Sequence, residues 1–260
     1  PADGAPALMT GVSNYESGSA ELPSIMSYDF AGRKASEIRT GEISSTGPMC
    51  QADIDGDGDL DLFVLTYRYY RPGGRPAKRP IVMRNGRPKI LPGFEKYYDL
   101  RRVGPSDWTV DTCGRPDRLF RNDGTGHFTD VSENAGFTEK GHGLSATWWD
   151  HDGDGWLDLY VANDFTDPEH LYHNNGDGTF TDVIEQAMPY TSWSSMGADC
   201  ADLNNDGLLD LFVADMAATS HYKSKVTMGD MGDRRWFLEN AWPRQIMRNN
   251  LFLNTGTSRF

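Results

Sequence analysis

The chain has 260 residues, with 38 Asp and Glu against 25 Lys and Arg, for a formal net charge of −13. No apolar run approaches the roughly 18 residues that a membrane-spanning helix needs. Its three cysteines include no Cys-x-x-Cys pair, which argues against zinc clusters and haem attachment.

Residues 1–46 carry no recognisable loop motif. The first motif is Asp53-Ile54-Asp55-Gly56-Asp57-Gly58-Asp59-Leu60-Asp61. It places oxygen side chains at its first, third, fifth and ninth positions, and the glycine after the fifth allows a sharp reversal. A hard cation such as Ca²⁺ takes six to eight oxygens at about 2.3–2.6 Å, which alternate residues of a tight loop can supply. Carboxylates crowded this closely repel one another unless a divalent ion neutralises them. The seventh residue, Asp59, would add its main-chain carbonyl. A helical calcium loop is excluded: it needs a bidentate Glu at its twelfth position, where Val64 stands. Leu60, Leu62 and Val64 alternate with period two, so the loop leads into a strand.

The next segment differs in chemistry. From Tyr67 to Arg121 there are fourteen Lys/Arg against five Asp/Glu, a local charge of +9, with Tyr67, Tyr69, Tyr70, Phe94, Tyr97, Tyr98 and Trp108 interleaved. The stretch Arg71-Pro72-Gly73-Gly74-Arg75-Pro76 predicts a stiff, extended path. Such a surface suits acidic glycans or an acidic protein partner, with Arg71, Arg75, Lys78, Arg79, Tyr97 and Tyr98 as the candidate contacts. The bland alternative is a strap folded across the protein's own acidic surface. Cys50 precedes the first loop and Cys113 ends this segment, so a Cys50–Cys113 disulfide is expected in an oxidising compartment.

A hairpin signal follows, Leu119-Phe120-Arg121-Asn122-Asp123-Gly124-Thr125-Gly126-His127-Phe128-Thr129-Asp130-Val131. Trp148-Trp149 then lead into a second loop, with Asp150, Asp152, Asp154 and Asp158 as side-chain donors and Trp156 as the carbonyl donor. A second hairpin runs from Leu171 to Val183. The third loop offers Asp202, Asn204, Asp206 and Asp210, with the carbonyl of Leu208. Val161 and Val213 again occupy the twelfth position. Asn204 is neutral and should bind somewhat more weakly. Residues 216–248 carry Met216, Met228, Met231 and Met247 with His221, Trp236 and Trp242. Methionines here read as fillers of irregular apolar gaps, with a Cu(I) site as a minor alternative. Ser220, His221 and Asp215 lack an elbow or oxyanion motif, so no catalytic residue is assigned. A third hairpin opens at Leu251, with Ser258 where a turn glycine belongs.

Loops two and three start 52 residues apart, as do hairpins one and two. A four-stranded unit of that size is a propeller blade. The loops and hairpins resemble the FG-GAP/VCBS repeats of integrin α-type β-propellers, with wording closest to cartilage-acidic-protein-like secreted proteins. The resemblance covers roughly residues 47–260 apart from two insertions, and implies an all-β fold whose Asp-rich loop joins the first two strands of each blade and binds Ca²⁺, about three ions in all. Three bound ions would bring the charge to −7, so the acidity is mainly a metal-site property.

The predicted domains are a lead-in or partial blade at 1–46, a first blade at 47–143 with an insertion at 67–118, a second at 144–195, and a third at 196–260 with an insertion at 216–248. Propellers of this kind close with about seven blades, so these are expected to continue into missing blades or to dock against another chain. Antiparallel order sends both insertions to the face opposite the calcium loops. The expected function is a calcium-stabilised protein- or glycan-binding scaffold that is extracellular, on the cell surface or periplasmic, where calcium is millimolar. That setting argues against nucleic acid. The alternative is the propeller portion of an extracellular polysaccharide-acting enzyme.

Overall fold

The computed structural model describes residues 7–11, 25–29, 34–39, 47–69, 71–164, 167–217, 220 and 235–260. Tyr70, His221, Met228 and Met231 lie outside them. β1 (Ala7–Gly11), β2 (Ile25–Asp29) and β3 (Lys34–Ile38) form an antiparallel sheet in that order. Ile25 and Ile38 of this sheet pack on Leu62, Val64 and Phe120 of the next. Residues before the first loop thus supply a sheet that stacks face to face on the first repeat.

In that repeat β4 (Met49–Ala52) and β5 (Asp61–Val64) pair across the first aspartate loop. β11 (Arg118–Asn122) and β12 (Phe128–Asp130) complete a four-stranded antiparallel sheet, ordered β12-β11-β5-β4. The second sheet is ordered β14 (Gly143–Trp149), β15 (Asp158–Asn163), β16 (His170–Asn174), β17 (Phe180–Asp182). The third contains β19 (Ser195–Ala201), β20 (Asp210–Asp215) and β22 (Asn250–Phe252), with no fourth strand among the described residues. Beyond β22, Phe260 donates its amide to Ala187 O at 3.0 Å and its ring meets Trp149 and Phe252. Ser258 lies in this irregular ending.

Apolar cores lie between neighbouring sheets, and the strand period of two feeds both faces of each sheet. In β15, Leu159 and Val161 enter the core shared with the first repeat, while Tyr160 and Ala162 enter the core shared with the third. Trp148 and Trp149 divide in the same way, the first packing against one core and the second buried in the other. Short helices α1 (Ser132–Ala135) and α2 (Ile184–Ala187) follow β12 and β17 and plug the ends of these cores with Ala135, Ile184 and Ala187.

Polar staples cross from one repeat to the next. Asn174 is buried, and its Nδ2 donates to Ile54 O in the preceding repeat's loop at 2.9 Å and to Leu157 O at 3.2 Å. Its Oδ1 accepts Gly176 N at 3.0 Å. Asn254 makes the same bond back to His151 O at 3.0 Å. Asn174→Ala leaves buried carbonyls unpaired and should cost about 3 kcal/mol in denaturant unfolding. Asn122→Ala, whose amide reaches only the exposed Leu60 carbonyl at 3.2 Å, should cost about 1 kcal/mol.

The first insertion is not the extended path that its prolines suggest. Gly74 N closes a turn on Arg71 O at 3.1 Å, with Gly73 and Gly74 at φ +81° and +69°. Two hairpins follow, β6 (Ile81–Arg84) with β7 (Arg87–Ile90), and β8 (Tyr98–Arg102) with β9 (Trp108–Thr112). Glycines and Asn85 supply positive φ at the turns, which offsets the stiffness of the prolines. The neck is closed by a bridge between Arg68 and Gly114 and by β10 (Arg115–Pro116) paired with β13 (Lys140–Gly141). The second insertion supplies a half-buried helix, α3 (Arg235–Asn240), and β21 (Arg244–Ile246), parallel to β18 (Tyr190–Ser192).

The expected disulfide is not formed: Cys50, Cys113 and Cys200 are free. Cys50 sits on β4 beside the core, and burial, with the charge of Asp117 adding to it, pushes its thiol up to about 12 against the lowering effect of Trp148. Cys113 is buried in the insertion neck, 3.6 Å from Lys140 Nζ. The two sulfurs serve separate packing environments. Cys200 packs against the core between the second and third repeats.

Candidate metal loops and binding cleft

The three aspartate loops share one hydrogen-bond plan. The first residue accepts amides from across the turn: Asp53 from Gly56 and Gly58, Asp150 from Gly153 and Gly155, Asp202 from Asp206 and Gly207, all between 2.8 and 3.1 Å. The fifth residue accepts the amide of the seventh, Asp57 from Asp59 at 3.0 Å, Asp154 from Trp156 at 2.9 Å and Asp206 from Leu208 at 2.9 Å. The intervening Gly58, Gly155 and Gly207 have φ of +91°, +93° and +89°, a backbone that a side chain would strain.

The ninth residues, Asp61, Asp158 and Asp210, are buried and bolt each loop to its sheet. One oxygen of each accepts the amide of the loop's second residue: Ile54 at 3.2 Å, His151 at 2.9 Å, Leu203 at 3.1 Å. The other accepts the amide of the third-strand asparagine: Asn122 at 2.8 Å, Asn174 at 2.8 Å, Asn254 at 2.9 Å. The seventh side chain covers the hairpin turn. Asp59, Trp156 and Leu208 lie against Gly124, Gly176 and Gly256, so closely at the first two that an added Cβ would collide.

The residues fit a cation. One carboxylate oxygen from each of Asp53, Asp55 and Asp57 lies within 4.8 Å of the others, as does one from each of Asp150, Asp152 and Asp154. Asp55 Oδ1 and Asp152 Oδ1 are buried without a hydrogen-bond partner. Burial, aided by the charges of Asp55 and Asp57, holds the Asp61 carboxyl above its usual range. A divalent ion would satisfy the orphaned oxygens and offset the repulsion. In the third loop Asn204 donates to Asp206 Oδ2 at 2.8 Å and accepts Asp206 N at 2.9 Å, leaving that loop one carboxylate poorer.

Sequence patterning missed a third-strand side chain that overlooks each loop. In the first, Arg121 Nη2 is 2.5 Å from Asp55 Oδ2 and 3.6 Å from Asp57 Oδ2. In the second, His173 Nδ1 is 3.2 Å from Asp158 Oδ1 and 3.5 Å from Asp152 Oδ2. Leu253 holds the position in the third. The available signal is register: each residue immediately precedes the stapling asparagine.

At the other end of the sheets the connections between second and third strands meet. Arg101 of the first insertion pairs with Asp167 of the second repeat's connection. His142 Nδ1 reaches Asp167 Oδ2 at 2.5 Å, and burial holds this imidazole below its usual range. Gln245 of the second insertion donates to Asp167 O at 3.2 Å. The Arg102 guanidinium lies over the Trp236 ring, 4.8 Å from its centroid. Arg115 is buried over Tyr69. These cations are strapped to the protein itself.

The tip of the same insertion is arranged differently. Arg71, Arg75, Lys78, Arg79, Tyr97 and Tyr98 all line one open cleft of about 710 Å³, with Arg68, Tyr69 and Asp111 also in its wall. Asp111 is the single carboxylate among the described lining residues. Arg75, Lys78 and Arg79 are exposed and make no ion pair with a described residue. Arg71 donates to Gly74 O and stacks 4.9 Å from the centroid of Phe94. The insertion therefore divides into a pinned base and a free cationic rim. In the second insertion, Met216 and Trp242 are exposed, and Asp215 accepts the amides of Trp193 and Ser194 at 2.9 and 3.0 Å.

No helix among the described residues is long and apolar enough to cross a membrane. No curated protein matches the chain. A solved lectin of Agrocybe aegerita, described for its specific recognition of non-reducing terminal N-acetylglucosamine, is similar at 16% identity with a TM-score of 0.31. The match covers 99% of this chain and 65% of the lectin. Residues 108–161 and 150–213 match the FG-GAP-like repeat family. The chain thus carries FG-GAP-like repeats within an all-β, propeller-like stack of antiparallel sheets.

Proposed function

We propose that this is a calcium-stabilised, non-catalytic binding module, working outside the cytoplasm, whose insertion cleft takes an acidic glycan. The observation that carries the proposal is the cleft itself: five cationic side chains and three tyrosines around about 710 Å³, with one opposing carboxylate. Guanidinium groups pair with sulfate and carboxylate in forked geometry, and aromatic faces suit sugar rings. An acidic protein segment would use the same charges. The metal loops support the role indirectly, by stiffening the sheets from which the cleft projects.

Replacing Arg71, Arg75, Lys78 and Arg79 together by Gln should weaken binding of a sulfated polysaccharide such as heparin by at least about tenfold. Rising salt should weaken the unchanged protein in the same way. Calorimetry at two ionic strengths measures both. A quadruple variant that melts lower but binds equally well would show that the rim, like Arg101 and Arg115, serves the fold alone.

A further inference from the structure

The second aspartate loop differs from its siblings in two residues that face one another. At its second position His151 stands where the others have Ile54 and Leu203. On the third strand His173 stands where the others have Arg121 and Leu253. One nitrogen from each histidine and one oxygen from each of Asp152 and Asp158 all lie within 4.8 Å of one another. We propose that this group is a second kind of metal site, a His₂Asp₂ set for a divalent transition ion of the zinc class, which calcium and that ion compete to fill.

The donor chemistry separates the two ions. Calcium takes oxygen donors at six to eight positions, whereas zinc prefers four ligands, with imidazole nitrogen among the favoured ones. The first and third loops offer no imidazole at these positions, so the distinction belongs to the second repeat alone. Zinc with ligands at about 2.0–2.2 Å holds them some 3.3–3.6 Å apart. A set already gathered within 4.8 Å needs only small rotations to close.

Unsatisfied polar atoms supply the independent observation. His151 is 2% exposed, and its Nε2 has no hydrogen-bond partner. Asp152 Oδ1 and His173 Nδ1 are likewise buried and unpartnered. His173 Nδ1 is near the oxygens of Asp158 and Asp152, at 3.2 and 3.5 Å, yet forms a hydrogen bond with neither. Approach without a hydrogen bond is what a bridging ion explains, because a metal accepts both lone pairs at once. The surroundings favour such a site. The His151 ring stacks on Phe260 at 6.4 Å and meets His173 edge-on at 5.9 Å, which limits water access. Asp158 also binds the His151 ring at 2.5 Å and accepts Asn174 N at 2.8 Å, so the ligand set is oriented by the sheet.

The proposal uses residues of a loop assigned to calcium above, and its test separates the two. Zn²⁺ is titrated calorimetrically into the calcium-free chain and into His173→Leu and His151→Leu, changes that install the third loop's own residue type. The expected result is one tight Zn²⁺ per chain, weakened at least about tenfold by either change. Asp57→Ala and Asp206→Ala should leave it intact. His173 is partly exposed, so its variant tests the site even if His151→Leu fails to fold. Co²⁺ in place of Zn²⁺ should give the strong visible absorption of a tetrahedral complex, lost in His173→Leu. Zinc affinity unchanged in a folded His173→Leu chain, or lost equally in Asp57→Ala, would reduce the binding to adventitious contact and overturn the proposal. If calcium fails to bind at any loop while zinc behaves as stated, only the calcium assignment falls.

Discussion

Stripping calcium with a chelator should lower the melting temperature on the order of 20 °C, and restoring calcium should recover it. Ligand that binds only the folded state stabilises by RT ln(1 + [L]/Kd), about 2.7 kcal/mol per site at a hundredfold excess over Kd. Three such sites give about 8 kcal/mol, and a domain of this size shifts roughly 2–4 °C per kcal/mol. Asp57→Ala, Asp154→Ala and Asp206→Ala should each remove one ion and a fraction of the shift. The fractions should be unequal. Arg121 pairs with Asp55 and lies close to Asp57, so in the first loop an ion competes with a guanidinium and has least to gain. Elemental analysis finding well under three calcium per chain, together with a melting temperature indifferent to chelator, would refute the assignment.

What the sequence made legible follows from how local each signal is. The aspartate loops are contiguous, so alternation of carboxylates with glycines displays their turn directly. The strands after them show as Leu and Val at period two. The partners of those loops are not contiguous. Arg121, His173 and the stapling amides of Asn174 and Asn254 approach from a strand paired only in the folded sheet, and pairing register is written in both strands jointly. The ninth aspartates were legible as carboxylates near a metal, but not as buried acceptors for two main-chain amides. Likewise the +9 segment was legible as cationic and aromatic. Which of its arginines are strapped down and which are free depends on Asp167 and Trp236, remote along the chain, and on Tyr69 within the segment, none of which charge counting pairs with them. The disulfide expectation failed for a related reason: order along the chain placed Cys50 before the first loop and Cys113 at the end of the insertion without aligning their side chains.

Buried acids at equivalent repeat positions predict an unusual pH response. Asp117 and Glu169 each stand two residues before the leucine that opens a third-strand core, at Leu119 and Leu171. Asp117 accepts Thr66 N at 2.7 Å and Thr66 Oγ1 at 3.3 Å. Glu169, fully buried, accepts the hydroxyls of Tyr160 and Ser195 and the amide of Ser192. Burial outweighs these bonds and pushes both carboxyls up to about 7. At Glu169 the nearby charge of Asp215 adds to the effect. Because the folded value exceeds the unfolded one, the folded chain holds the proton more tightly. Stability is therefore full below about pH 4 and is lost as pH rises towards 7. The loss is on the order of 3 kcal/mol per group. Glu169→Gln keeps an acceptor and a donor but cannot ionise. At saturating calcium, the denaturation midpoint of the unchanged chain should fall between pH 5 and 7.5. The Glu169→Gln midpoint should fall less, and the two should converge near pH 5. Loop aspartates that surrender calcium in acid act in the opposite direction, so the comparison between the two proteins carries the inference. Parallel pH curves for the pair would show that Glu169 stays ionised throughout, held by its three donors against the cost of burial.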